Sequence, residues 1–304
     1  MNVLISGASG LVGSALIPAL VARGDRVIRL VRHPVDAGAP EIEWHPGSRL
    51  DPEALEGFDA VIHLAGESVF GRWTAAKKNA IYESRVGGAQ TIGDAIGGCQ
   101  RAPHIFLSAS AIGYYGSRAD EPLDEDSSSG EGFLAEVARE WEGATAAARR
   151  AGCRVVNLRF GVILSREGGA LKKMLLPFRL GLGGRIGSGK QWFSWISIDD
   201  AIAAILFALD QERVRGPVNL VAPVPVTNGD FARTLGRVLH RPAIVPVPNI
   251  LPKLVFGREM ATETFSASQR AIPAKLAATG YNFRHPELEG ALRSLLGEEP
   301  QCQA

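Results

Sequence analysis

Short, uninterrupted apolar runs alternate with longer helical stretches through the first half of this chain, and that rhythm constrains the fold most. NVLIS, RVIRLV, AVIHLAG, HIFLSAS and RVVNLRFG do not alternate apolar with polar, so each must be covered on both faces. Between them the pattern predicts a helix from about Val12 to Arg23, a polar helical stretch from about Thr74 to Ile96, and a helix around Phe133 to Ala151. Strand–helix repetition of this kind builds a doubly wound parallel sheet of Rossmann type, an α/β fold with right-handed crossovers.

The rhythm changes after Gly161. GGALKKMLLPFRLGLGGRIGSGKQWFSWI reads as a helix followed by glycine-rich chain, and SIDDAIAAILFAL as a helix with Ser197, Asp199 and Asp200 near its start. GPVNLVAP is one more strand, after which prolines become dense and helices are expected near 228–239 and 285–296. The expected organisation is a dinucleotide-binding domain over 1–165 with 196–222, and a smaller, less regular substrate-binding domain over 166–195 with 223–297. The last residues, 298–304, read as a loose tail.

With a net charge of +1 and scattered basic residues, the chain has no global field to recruit nucleic acid or an anionic membrane. Cys99, Cys153 and Cys302 are far apart, and the six histidines form no zinc pattern; His63, inside an apolar strand, reads as a satisfied core group. No metal is expected, and the cysteine usage fits a reducing compartment. NVLISG already reads as a folded strand and not a leader, and AIAAILFALD is too short to span a bilayer. The expectation is a soluble, cytoplasmic protein with a small-molecule substrate and neither nucleic-acid nor membrane partners. The acidic loop RADEPLDEDSSSGEG is expected to be a solvated connection.

GASGLVG, directly after a strand and before a helix, carries the first functional signal. Gly7 permits a tight turn, Gly10 removes a side chain where backbone approaches a pyrophosphate, and Gly13 lets helix and strand pack closely. Ser9, Leu11 and Val12 share that turn, whose helix start offers free N–H groups to phosphate. An NAD site places an acid at the end of the second strand; RLVRHP supplies Arg29, Arg32 and His33 instead. A guanidinium at Arg32 suits a 2′-phosphate, so the expected cofactor is NADP.

SGASGLVG, VIHLAGE, FLSASAIGYYG, LRFGVIL, FSWISIDDAIAAI and GPVNLVAP, in that order, resemble the extended short-chain dehydrogenase/reductases. The match is to their atypical branch, the NAD-dependent epimerase/dehydratase-like or sugar-nucleotide epimerase-like family. The resemblance covers nearly the whole chain. It implies that Leu64, Ala65 and Gly66 line the adenosine and its ribose, and that Ser108 and Ser110 lie beside the nicotinamide. Arg159, Gly161 and Val162 would close over the nicotinamide, Trp192 to Ile196 would lie at the mouth of the substrate cleft, and Arg85 would face the site. A homodimer is implied in the same way.

The sequence departs from that family at its chemistry. Relatives carry Tyr-x-x-x-Lys, one helical turn apart, as a proton donor and its activator. GEGFLAEVAREWE offers Phe133 with Val137, or Leu134 with Ala138, and none of the four tyrosines has a lysine four residues on. Three readings stay open. Tyr114 or Tyr115 donates the proton while Ser110 orients a carbonyl; other groups such as Glu67, Lys77, Lys78 or Arg85 serve an oxidoreductase or epimerase-like reaction; or the protein binds NADP(H) and turns nothing over, as a sensor or scaffold.

Overall fold

A computed structural model of the chain describes residues 1–297. The tail expected over 298–304, with Cys302, lies outside the described residues. In chain order the first strands are β1 (Asn2–Ser6), β2 (Arg26–Val31), β3 (Glu41–Glu43), β4 (Ala60–His63), β5 (Ile105–Ala111), β6 (Pro122–Leu123) and β7 (Arg154–Phe160). There follow β8 (Val162–Leu164), β9 (Trp192–Phe193), β10 (Trp195–Ser197), β11 (Gly216–Leu220), β12 (Val226–Thr227) and β13 (Arg270–Ala271). The helices are α1 (Leu11–Ala22), α2 (Ala75–Tyr82), α3 (Gly88–Gly98), α4 (Phe133–Gly143), α5 (Ala146–Arg150) and α6 (Gly169–Arg179), then α7 (Ile198–Asp210), α8 (Asn228–Val238), α9 (Ile250–Phe256), α10 (Arg258–Thr264), α11 (Ala274–Ala278) and α12 (Leu288–Leu296).

Seven strands form one parallel sheet in the order β11-β7-β5-β4-β1-β2-β3. Successive residues of β1 point to opposite faces and both faces are covered. Val3 and Ile5 pack with Leu16 and Leu20 of α1 and Ile205 and Leu209 of α7. Leu4 packs on the other side with Val61, Phe106 and, from α3, Ile92 and Ile96. Each such fully buried side chain contributes about 1.5–3 kcal/mol, which is why the continuous apolar runs become the centre of the sheet. α6, α8 and α12 share a separate cluster with Phe178, Trp195, Phe231 and Leu292.

α7 is anchored at both ends. Ser197 Oγ accepts from Asp200 N at 3.0 Å, capping its start. The buried Asp200 carboxylate then accepts from the backbone N–H groups of Arg284 (2.6 Å) and His285 (3.0 Å). At the other end, the buried Arg154 guanidinium donates to the carbonyls of Ala208, Leu209 and Val214, closing groups the helix leaves open.

Two expected helices are interrupted. The stretch from Thr74 to Ile96 is α2, a π turn over Glu83–Gly87, and α3. The stretch from Phe133 to Ala151 is α4 and α5, broken at Ala144–Thr145, where Thr145 Oγ1 donates to Glu142 O at 2.7 Å.

Candidate functional site

The strand order reverses between β1 and β4, and an open parallel sheet takes its ligand in the crevice outside the carboxyl ends there. Gly7 has φ +75°, and a Cβ on it would lie 2.6 Å from Ala65 N and Leu64 C, so glycine alone lets the turn pass the end of β4. Gly10 is the N-cap of α1, with no side-chain cap and no acid in the first turn. Those first N–H groups therefore remain open to an anion. Ser9 and Gly10 are exposed, with Leu11 and Val12 half-buried behind them. Leu64, Ala65 and Gly66 run on from β4 against the same turn.

The three basic groups of RLVRHP are not equivalent. Arg29 pairs with Glu41 of β3 at 2.6 Å, and His33 Nδ1 lies 3.0 Å from the Pro34 carbonyl. Arg32 is exposed and makes no ion pair among the described residues. Lys77, 2.5 Å from Glu67 Oε1, holds the Glu67 carboxyl below the usual carboxylate range, with smaller contributions from Arg32 and Arg85.

The wider π turn carries Arg85, whose Nη1 donates to Glu67 O at 2.8 Å and whose guanidinium lies over the Trp141 ring at 5.3 Å. Burial pushes its pKa down to about 10. A Cβ on Gly66 would come within 3.3 Å of Arg85 Cζ, so the two residues fit together.

Behind them His63 is fully buried between Trp44 and Trp141. Its Nδ1 lies 2.6 Å from Ser6 Oγ, while Nε2 has no partner among the described residues, so only one nitrogen is satisfied. Burial pushes its pKa down to about 4. The unfolded chain binds a proton near pH 6.5 that the folded protein refuses, so stability falls as pH drops from 6.5 to 4, by about 3 kcal/mol. Urea unfolding of wild type and His63→Gln across that range checks this. The wild type is expected to lose about 3 kcal/mol relative to the variant; parallel profiles would contradict it.

A second cluster sits at the ends of β5 and β7. Ser110 donates to Glu142 Oε1 at 2.7 Å, and Glu142 holds Arg159 by two bonds, Nε to Oε1 at 2.7 Å and Nη2 to Oε2 at 2.9 Å. Arg159 Nη1 donates to the Tyr115 hydroxyl at 2.8 Å. That hydroxyl has Asn219 Oδ1 (2.7 Å) and the Asp124 carbonyl (2.8 Å) as its acceptors. Tyr115 is fully buried, and burial pushes its pKa up to about 12. The expectation of Tyr115 as a proton donor is therefore corrected: its hydroxyl is committed on three sides inside the frame. Tyr114 is half-exposed, its ring face lies 3.6 Å from the Arg159 guanidinium, and its hydroxyl makes no hydrogen bond among the described residues.

Ser108 is fully buried with its hydroxyl on Ala109 O at 3.3 Å, so its side chain does not reach the crevice. A Cβ on Gly161 would lie 2.7 Å from Ser194 O, which explains glycine where β7 turns into Val162 of β8. Trp195 is core; Trp192 is half-exposed, donating to Asp120 Oδ1 at 2.6 Å under the Arg270 guanidinium. On α4, Phe133 packs on Trp73 at 5.1 Å and Val137 is buried. The Glu263 carboxylate accepts from Phe133 N (3.0 Å) and Leu134 N (2.8 Å), filling the start of the helix. Neither Glu142 nor Glu263 stands out in the sequence; each lies in an ordinary acidic helix stretch, with its partners in other elements. Among the described residues no group of three or more His, Cys, Asp or Glu side chains could hold a metal ion.

A profile of the NAD dependent epimerase/dehydratase family matches residues 3–221. The chain belongs to that family. A second profile, known only as the domain of unknown function DUF1731, matches residues 247–295. Over 292 residues this family member is 42% identical to the epimerase family protein MT2273 of Mycobacterium tuberculosis, covering 95% of this chain and 96% of the relative. The crystal structure of human epimerase family protein SDR39U1 (isoform 2) with NADPH superposes with a TM-score of 0.88 at 36% identity, over 98% of this chain and 99% of that one. A nucleoside-diphosphate sugar epimerase from Corynebacterium glutamicum gives a TM-score of 0.81 at 37% identity, over 98% of this chain but 58% of that one. The atypical extended short-chain reading of the motifs, and the Rossmann-type sheet, are thus shown. Among the described residues no helix is long and apolar enough to cross a membrane.

Proposed function

We propose that this protein binds NADP(H) and acts as an NADP(H)-dependent oxidoreductase or epimerase-like enzyme on a small molecule. The observation that carries the cofactor reading is Arg32, an exposed guanidinium without a carboxylate partner among the described residues, standing where an NAD site would place an acid. The similar human SDR39U1 structure holds NADPH, which supports the same nucleotide. Gly7, Ser9, Gly10, Leu11, Val12 and Gly13 would hold the pyrophosphate on the open N–H groups of α1. Leu64, Ala65 and Gly66 would line the adenosine side, with Arg85 facing the site against Gly66, and Arg159, Gly161 and Val162 toward the nicotinamide. When bound, the nicotinamide supplies or accepts a hydride.

In that reading Tyr114 exchanges the proton. Of the two tyrosines at the ends of β5 and β7, its hydroxyl is the uncommitted one, and the Arg159 cation against its ring stabilises negative charge there. Ser110, bound to Glu142, positions the loop that carries Tyr114. A second reading, a protein that binds NADP(H) and turns nothing over, is favoured by the lack of a tyrosine–lysine pair on α4, where Phe133 with Val137 and Leu134 with Ala138 stand at that spacing, and by Glu263 plugging the start of α4.

Calorimetric titration with NADPH and NADH tests the cofactor, and deuterium transfer tests turnover. Arg32→Ala is expected to weaken NADPH binding about 10–100-fold, the loss of charge-assisted bonds, and to leave NADH binding unchanged. Equal affinities of wild type for both nucleotides would remove Arg32 from the site. For turnover, the protein is incubated with 4-deuterated NADPH and a pool of small carbonyl compounds. Label appearing in a product with wild type but not Tyr114→Phe supports the oxidoreductase; label in neither removes net hydride transfer to a carbonyl and leaves the epimerase-like enzyme or the silent binder.

A further inference from the structure

We propose that the protein docks peripherally on an anionic phospholipid surface, through a face made by α6, the chain that follows it, and the segment running into α9. The described residues expose twelve large apolar side chains, and nine of them lie here. Leu176, Leu180 and Leu182 come from the first segment. Ile244 and Val245 precede α9, whose Ile250, Leu251, Leu254 and Val255 share one side of the helix. The two segments adjoin: Arg241 Nε donates to Arg179 O at 3.0 Å, Val247 N to Arg185 O at 2.8 Å, and Gly187 N to Val247 O at 2.9 Å.

Charge follows the same two segments. Lys172, Lys173, Arg179, Arg185 and Lys190 lie on one, Arg241, Lys253 and Arg258 on the other, and neither 168–190 nor 241–258 contains an acid. None of these eight cations makes an ion pair among the described residues. The bordering acids are already engaged, Glu167 with Arg166 at 3.0 Å and Glu259 with Lys78 at 2.7 Å. Since the whole chain carries only +1, the remainder is net acidic and positive charge is concentrated on these two segments. Arg185 and Lys190 line a separate recess with Asp120 and Trp192, and Lys173 lies over the Phe70 ring at 3.5 Å. That leaves Lys172, Arg179, Arg241, Lys253 and Arg258 to the apolar face. An open recess of about 460 Å³ at its edge is lined by Arg166, Lys172 and Arg179 with Glu167, Leu175 and Leu176, cations above leucines. A phosphate headgroup above acyl chain presents the complementary arrangement.

Other occupants fit less well. A two-fold contact with a second copy would set this face against itself, cation on cation. Protein interfaces favour aromatic residues and methionine at their centre and shed charge there, whereas the exposed apolar side chains here are all Leu, Ile and Val among Lys and Arg. That combination is what an interfacial element presents to a bilayer: aliphatic groups entering the headgroup boundary and basic groups meeting anionic lipid. The docked face also abuts the loop after Gly66, because Phe256 of α9 packs on Phe70 at 6.0 Å and Arg72 Nη2 donates to Leu254 O at 3.4 Å.

Co-sedimentation with vesicles tests this, using phosphatidylcholine alone and phosphatidylcholine mixed with phosphatidylglycerol, at low and physiological salt. Wild type is expected to pellet with the mixed vesicles, less so at higher salt, and poorly with phosphatidylcholine alone. Lys253→Ala should lower the partition coefficient about fivefold, one surface charge's worth, and Leu251→Asp with Leu254→Asp should abolish pelleting while NADPH affinity is unchanged. No pelleting with the mixed vesicles, or pelleting indifferent to both variants, overturns the proposal. So does a dimer by sedimentation velocity that the double variant dissociates, which would give the face to a second copy.

Discussion

Glu142→Ala is expected to destabilise the protein by about 3–5 kcal/mol, the penalty for leaving a buried charge without its partner. The Arg159 side chain is 3% exposed and Glu142 12%, and the two share a bidentate geometry that solvent cannot replace. Without the carboxylate, the guanidinium keeps hydrogen bonds only to the Tyr115 hydroxyl and the Glu125 carbonyl, with the Tyr114 ring against its face, and none of these carries a full negative charge. Against a total stability of about 5–15 kcal/mol this is a large fraction. Urea denaturation measures it. Replacing both partners with leucine should be less damaging than removing one, because no charge is then stranded. A single variant within about 1 kcal/mol of wild type would mean that water reaches the pair and that the frame around Tyr115 is not dry.

Gly13→Ala is expected to abolish measurable NADPH binding, a loss of at least a hundredfold or about 2.7 kcal/mol. The added Cβ would lie 2.3 Å from Gly7 O and 2.9 Å from Ala8 Cα, both backbone, so the turn itself must move. Gly10 provides the contrast. A Cβ there meets only Gly7 O, at 3.2 Å, so Gly10→Ala should keep the fold nearly intact. Its effect should fall on the nucleotide, which needs the space above that backbone. Calorimetric titration beside thermal unfolding separates the two: the first variant loses both affinity and melting temperature, the second mainly affinity. If Gly13→Ala binds NADPH as wild type does, the glycine turn is not the phosphate site.

What could be read from the chain was whatever one element declares on its own. NVLIS, AVIHLAG and HIFLSAS became the sheet centre because both faces of each strand are apolar, and Ser197 marked the start of α7 because a cap acts within one turn. β3 escaped notice because Glu41–Glu43 has two acids in three residues; its strand character comes from pairing with β2 and from the Arg29–Glu41 ion pair. The π turn at Glu83–Gly87 was invisible for a similar reason. It depends on Arg85 reaching Glu67 O, a contact 18 residues back along the chain. Tyr115 looked like an acid because sequence shows a hydroxyl but not its neighbours. Only the fold brings Asn219 and Arg159 to it. The basic apolar face was hidden by averaging: the net charge of +1 conceals two segments of unmixed sign.

The Asp200 carboxylate also bears on how the chain can be made. Besides the Ser197 hydroxyl, its oxygens accept from the N–H groups of Arg284 and His285, the first of them 84 residues further along. During synthesis at roughly 5–20 residues per second, several seconds therefore separate the emergence of α7 from that of its partners. Throughout that interval a carboxylate destined for the interior has no donors from the closing segment and keeps only the neighbouring Ser197 hydroxyl. A chain that ends before Arg284 therefore lacks two of the donors that the Asp200 carboxylate has in the complete fold.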